Sequence, residues 1–172
     1  LAVGTGGVSL FATLIATAAG ASVAMTTGDD GKIGKIRALG VSDVVNYRKV
    51  PEWGKAASEQ FGAFDRIVNA AGSAALDQSI AALAPGGEIA LMGLFEFAEK
   101  APDFIGLMTK GGSIRGTSVG SRAALHDLVA FIDTHGIKPP IGRTFGFTKA
   151  HQAYRALDAS DVLGKIVITV AD

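Results

Sequence analysis

Apolar residues at Phe11, Leu14, Ile15 and Ala18 recur at helical spacing, and they predict a helix over about Val8–Ala19 closed by Gly20. The short apolar stretch Ala21–Thr26 follows and predicts a buried strand. The alternation continues: a helix Lys32–Leu39, a strand Val44–Tyr47, a polar-faced helix Pro51–Phe61 and a strand Arg66–Asn69. Leu76, Ile80 and Leu83 mark the next helical face, Pro85-Gly86-Gly87 a turn, and Glu88–Met92 a strand. A looser stretch, Leu94–Gly112, carries a short helix near Asp103–Met108, then a strand Ser113–Gly116. Leu125, Leu128, Val129 and Ile132 give one more helical face. Strands alternating with helices of about ten residues imply βαβ units and a parallel sheet covered on both sides.

The pattern changes near Gly136–Pro140. Beyond it come a segment Arg143–Phe147, a helix Thr148–Leu157 and a last strand Lys165–Val170. The expected fold is α/β, a doubly wound parallel sheet of the Rossmann type, with a C-terminal helix–strand tail. Residues 1–137 form the wound domain and 138–172 the tail.

Composition narrows the function classes. The chain has 172 residues, 48% of them hydrophobic and 19% charged, enough for one packed core rather than disorder. Net charge is zero, which argues against a nucleic-acid partner. Cysteine is absent, so no disulfide or thiolate metal site can form within the chain, and a reducing, cytoplasmic setting is expected. Val8–Thr27 is apolar enough to resemble a membrane span, but Gly20 interrupts it and no basic flank orients it. Strand, turn, helix, turn and strand is the better reading, with no membrane partner.

The candidate chemistry sits at the start. Three glycines fall within the first seven residues, after Leu1-Ala2-Val3 and before an apolar helix. In a dinucleotide-binding βαβ unit the first glycine makes the tight turn and the second lets backbone approach a pyrophosphate. The third packs helix on strand, and the helix N-terminus faces the anion. Gly4-Thr5-Gly6 supplies the first two, and Ser9 replaces the third. About 20 residues further on, an NAD site places an acid for the ribose 2′-hydroxyl. Here Met25-Thr26-Thr27 occupies that place, although Asp29 and Asp30 just after it could reach back to the ribose and leave the choice of nucleotide open. Lys32, with Tyr47 and Arg48 at the end of the next strand, suits a 2′-phosphate, which favours NADP over NAD.

GTGGVSLFA, ALGVSDVVNYR, LAPGGEIALMG, VGSR and LGKIVITV, in that order, resemble the medium-chain dehydrogenase/reductase superfamily. The nearest members are zinc-type alcohol dehydrogenases and quinone-oxidoreductase-like proteins, and the likeness runs along essentially the whole chain. The resemblance implies that the chain starts inside the first strand of a cofactor domain, downstream of a catalytic domain. It implies a pyrophosphate turn at Gly4, Gly6, Gly7 and Val8; Thr5 within that turn and Thr27 at the end of the second strand are further cofactor-binding candidates. It also implies adenosine-phosphate contacts at Lys32 and Tyr47. Along the rest of the cofactor it implies Asn69 and Ala71, then Met92, Gly93 and Leu94 near the nicotinamide amide, then Thr117 and Val119. Lys165 in the last strand matches a basic residue that reaches the cofactor.

Zinc ligands and proton-relay residues of such enzymes belong upstream of Leu1, and His126, His135 and His151 lack ligand spacing. Asn69-Ala70-Ala71-Gly72 also resembles a short-chain dehydrogenase motif, but neither Tyr47 nor Tyr154 is followed by the Lys four places on that such enzymes need. The expected role is hydride transfer between a nicotinamide and a carbonyl, alcohol or activated alkene, in the intact protein rather than this chain alone. A homodimer through the edge at Ser113–Val119 is expected by resemblance only. The alternative is a stand-alone dinucleotide-binding module for redox sensing or cofactor supply to a partner chain.

Overall fold

A computed structural model describes residues 1–94, 97–159 and 162–170. Six parallel strands form the main sheet: β1 (Ala2–Val3), β2 (Ala24–Thr27), β3 (Asp43–Asn46), β4 (Phe64–Asn69), β5 (Leu83–Leu91) and β6 (Ser113–Gly116). Their order is β3-β2-β1-β4-β5-β6. The winding therefore reverses at β1, which pairs with β2 on one side and β4 on the other. In such sheets ligands bind outside the carboxyl ends of the strands at the reversal.

Helices α1 (Gly7–Ala18), α2 (Ile33–Ala38), α3 (Trp53–Phe61), α4 (Leu76–Ala82) and α5 (Phe104–Thr109) connect these strands. Side chains of successive strand residues point to opposite faces, so each strand feeds two cores. Ala2 and Met25 join Leu10, Ile36 and Val41 on the α1–α2 side. Leu1, Val3 and Ala24 join Trp53, Ile67, Ile80 and Ile89 on the α3–α4 side. The apolar run that imitated a membrane span is thus α1, a turn and β2. Gly20, at φ +84°, ends α1, and the Ala21 amide bonds back to the Ala16 carbonyl. That turn uses residues expected in the strand, so β2 begins at Ala24. Among the described residues no helix is long and apolar enough to cross a membrane.

Pro85-Gly86-Gly87, expected as a turn, lies inside β5. The register against β4 jumps from Phe64–Leu83 to Arg66–Glu88, which makes the triplet a bulge with Gly86 at φ +73°. Lys110 holds this corner. Its ammonium donates to the carbonyls of Ile80, Ala81 and Leu83, capping α4, while its own carbonyl accepts from the Gly86 amide at 2.7 Å. Burial lowers the Lys110 pKa from the ordinary lysine value.

The tail is a βαβ unit of its own. After α6 (Arg122–His135), strands β7 (Ile141–Gly146) and β8 (Lys165–Thr169) pair in parallel, with α7 (Ala150–Asp158) between them. It is not a detached appendage: Leu163 is buried in the α1–α2 core. By contrast, no residue of α6 is buried, and Leu125 and Val129 face outward.

Candidate functional site

The glycine turn sits at the reversal. Gly4 takes φ +91°, a conformation that L side chains rarely adopt, and its amide donates to Thr26 Oγ1 at 2.9 Å. Ser9, in the third glycine's place, turns its buried hydroxyl onto the Val3 carbonyl at 2.8 Å. Serine therefore ties α1 to β1 where glycine would only allow them to approach. Thr5 and Val8 flank the turn, with Val8 half exposed. Gly6 is the N-cap of α1 and offers no side-chain acceptor, and the first turn holds no carboxylate. The first amides of a helix lack intrahelical partners and carry its positive end, so this end suits an anion.

Lys165 reaches the same place from β8. A Cβ on Gly7 would overlap Lys165 Nζ, which also lies 5.8 Å from the centre of the Phe11 ring. Glycine at position 7 is what lets the ammonium rest on the helix end. The tail thereby adds a full positive charge to the partial charge of the helix.

At the end of β2, Thr27 is buried and its hydroxyl accepts from the Asp29 amide at 3.1 Å. Gly28 leaves space that Tyr47 fills: the Tyr47 hydroxyl lies 2.6 Å from where a Cβ would stand, and Arg48 Nε lies 3.1 Å from it. Lys32 is half-buried at the end of a short 3-10 turn, Asp30–Lys32. Both acids after Thr27 have partners. Asp29 accepts from the Gly31 amide at 2.8 Å, and Asp30 pairs with Lys49 Nζ and Asn46 Nδ2. Those two partners, Lys49 foremost, lower the Asp30 pKa from the ordinary aspartate value. Sequence reasoning named the two acids and missed this cluster. Its only signal was a lysine one place beyond Tyr47-Arg48.

Across β1 the strand ends are knitted by backbone. Asn69 is fully buried, and its amide folds the loop after β4: Oδ1 accepts from Ala71 and Gly72, and Nδ2 donates to the Gly72 carbonyl. The Asn69 carbonyl takes the amides of Met92 and Gly93 at 2.9 and 3.1 Å. A Cβ on Gly93 would overlap the Ala70 backbone, so the two loops touch through glycine. Asn69 thus shapes this loop with a side chain already occupied by backbone partners. Thr117 joins the row through its amide to the Leu91 carbonyl at 2.9 Å. Leu94 and Val119 stand 76% and 91% exposed.

The remaining candidates lie apart. His126 and His135 are exposed on α6, where His135 stacks on Phe131, and His151 is exposed on α7. Among the described residues no group of three or more His, Asp or Glu is placed to hold a metal. A cavity of about 410 Å³ opens at the opposite, amino edge, beside Leu1, Thr13 and Phe64. The Thr13 hydroxyl there is buried without a hydrogen-bond partner.

A reversal of winding at β1, a glycine turn beneath it and an uncapped helix end define a Rossmann dinucleotide-binding domain. The family model for zinc-binding dehydrogenases matches residues 7–134. A zinc-type alcohol dehydrogenase-like protein of Schizosaccharomyces pombe is 32% identical over 99% of this chain and 51% of its own length. The crystal structure of a putative alcohol dehydrogenase from Sinorhizobium meliloti 1021 is 37% identical, with a TM-score of 0.89 over 98% of this chain and 50% of that one. A crystal structure named as an NAD-dependent alcohol dehydrogenase is 30% identical, with a TM-score of 0.88 over 99% of this chain and 50% of that one. The chain belongs to the zinc-binding dehydrogenase family. It spans about half the length of the curated relatives it matches.

Proposed function

We propose that this chain is the cofactor-binding portion of an NAD(P)-dependent alcohol dehydrogenase- or reductase-like oxidoreductase, with NADP preferred over NAD. The observation that carries the reading is the meeting of Lys165 Nζ with Gly7 at the N-terminus of α1. A pyrophosphate placed there meets free amides, the helix dipole and an ammonium together. The residues present fit the group: Gly4, Gly6 and Gly7 allow the approach, and Lys165 supplies charge. When bound, a nicotinamide dinucleotide accepts or donates hydride, here from or to a carbonyl, alcohol or activated alkene. The protein's part is to bind and orient it, with Asn69 holding the Ala70–Gly72 loop against Gly93 along its path.

The NADP preference is supported by Thr27-Gly28 where an NAD site has an acid, by Tyr47 and Arg48 beside Gly28, and by Lys32 at the end of the turn that follows β2. The relative named as NAD-dependent argues the other way. Calorimetry with NADPH and NADH tests both levels. Tighter NADPH binding, weakened by Lys32→Ala, is expected; tighter NADH binding would overturn the NADP assignment, and binding of neither would overturn the site.

Residues 138–172 are proposed as the segment that packs on a catalytic domain supplied by the rest of a longer protein. This chain alone is then expected to turn over negligibly, and robust NADPH oxidation with simple quinones or aldehydes would overturn that. A homodimer through β6 belongs to the same proposal, and its check is the mass in solution.

A further inference from the structure

Two consecutive acids follow β2, beside a rim proposed above to receive a 2′-phosphate. An acid free at this rim would accept from a ribose diol and repel a phosphate dianion. Each acid has a partner, and among the described residues only Asp30 is paired with a cation. Asp29 is turned onto its own backbone through Gly31. Asp30 is held by two side chains, Asn46 Nδ2 at the end of β3 and Lys49 Nζ in the turn after it.

The holding is directional. The Asn46 amide donates to Asp30 and accepts from the Arg48 amide at 3.0 Å, so both its ends are engaged. Asn46 directly precedes Tyr47, whose hydroxyl fills the space beside Gly28. The carboxylate is therefore pinned on the β3 side of the rim, its charge met by Lys49. The pair is exposed, at 68% and 47% of the two side chains, and such pairs add little to stability. Its effect on a ligand is another matter. Within a Debye length, baring one carboxylate changes affinity for a phosphate dianion by about three- to tenfold.

We propose that Lys49 is a positioning residue for cofactor choice, holding Asp30 against Asn46 and neutralising it so that the rim tolerates a 2′-phosphate. This rests on the dinucleotide reading, and its test is the ratio of NADPH to NADH affinity rather than either value alone. Calorimetry on the full chain would compare wild type, Lys49→Met, Lys49→Arg, Asp30→Asn and the Asp30→Asn/Lys49→Met double variant. Lys49→Met is expected to lower the ratio about three- to tenfold, with Lys49→Arg retaining it and the double variant restoring it. The melting temperature without ligand should hardly move in any of them.

An unchanged ratio in Lys49→Met, a parallel loss of both affinities, or no rescue by Asp30→Asn would overturn the proposal. A wild type that prefers NADH refutes the NADP assignment alone. In that case the Lys49 role stands only if the ratio still falls and is still rescued. Binding of neither nucleotide refutes both.

Discussion

Along one carboxyl edge, the ends of β1, β2 and β3 differ from those of β4, β5 and β6. On the first side, side chains do the fastening: Thr26 to Gly4, Ser9 to Val3, Tyr47 into the space at Gly28, Lys49 onto Asp30 and Lys165 onto Gly7. On the second, the bonds between strand ends are backbone, from Met92 and Gly93 to the Asn69 carbonyl, while the Asn69 side chain folds only its own Ala70–Gly72 loop, and apolar Leu94 and Val119 stand open beyond. Polar, pre-shaped geometry suits a charged and invariant ligand part such as a phosphate. Exposed apolar side chains at a strand end suit a surface completed by something else. On the proposed reading, the β1–β3 half of the site is finished by this chain's own side chains and the β4–β6 half is only framed by them.

The largest expected effect strikes the framed half. Gly93→Val places carbon atoms on the Ala70 backbone and should cost about 3 kcal/mol or more in urea unfolding. A loss under about 1 kcal/mol would mean that the two loops part freely and the frame is softer than its geometry.

Next comes β1 itself, at its amino end. The Leu1 amine donates to the Arg66 carbonyl at 2.8 Å, and burial pulls its pKa from 8.0 down to about 6, against a smaller upward pull from Asp65. Between those values the unfolded chain holds the proton and the folded one does not. For a chain beginning at Leu1, stability should therefore rise as pH climbs from about 6 to 8, by roughly 2–3 kcal/mol, and level off above. Urea midpoints at pH 5.5, 7 and 8.5 check this. Adding residues before Leu1 should remove that rise, because the amine becomes an amide.

Third, Lys165→Ala should weaken dinucleotide binding about tenfold, roughly 1.4 kcal/mol, with NADPH and NADH affected alike because the pyrophosphate is common to both. An effect on one nucleotide alone would move Lys165 from the pyrophosphate to the ribose end. The smallest effect belongs to the open surface. Leu94→Ser and Val119→Ser should each shift stability by less than about 0.5 kcal/mol. A larger loss would show that these side chains are covered in solution.

Much of this was legible before any coordinates. The spacing of Phe11, Leu14, Ile15 and Ala18 marks α1 because helical periodicity is local, and the glycines before it mark the turn for the same reason. The Pro85–Gly87 triplet reads locally as a turn, yet it is a bulge, because Lys110 from a later element closes that corner. Lys165 is implied by the family resemblance alone, since nothing near it in sequence points to Gly7. Asp29 and Asp30 read as available acids, although one caps its own turn and the other is held from β3.

By itself, then, the sequence determined the order of helices and strands, the glycine turn and the family likeness, because periodicity, caps and turn chemistry act over a few neighbouring residues. Only the tertiary structure decided which groups meet at the site: Lys165 on the helix end, Lys49 over Asp30, Tyr47 in the space that Gly28 leaves. Those meetings depend on strand order and crossover, which bring together residues that no local pattern connects.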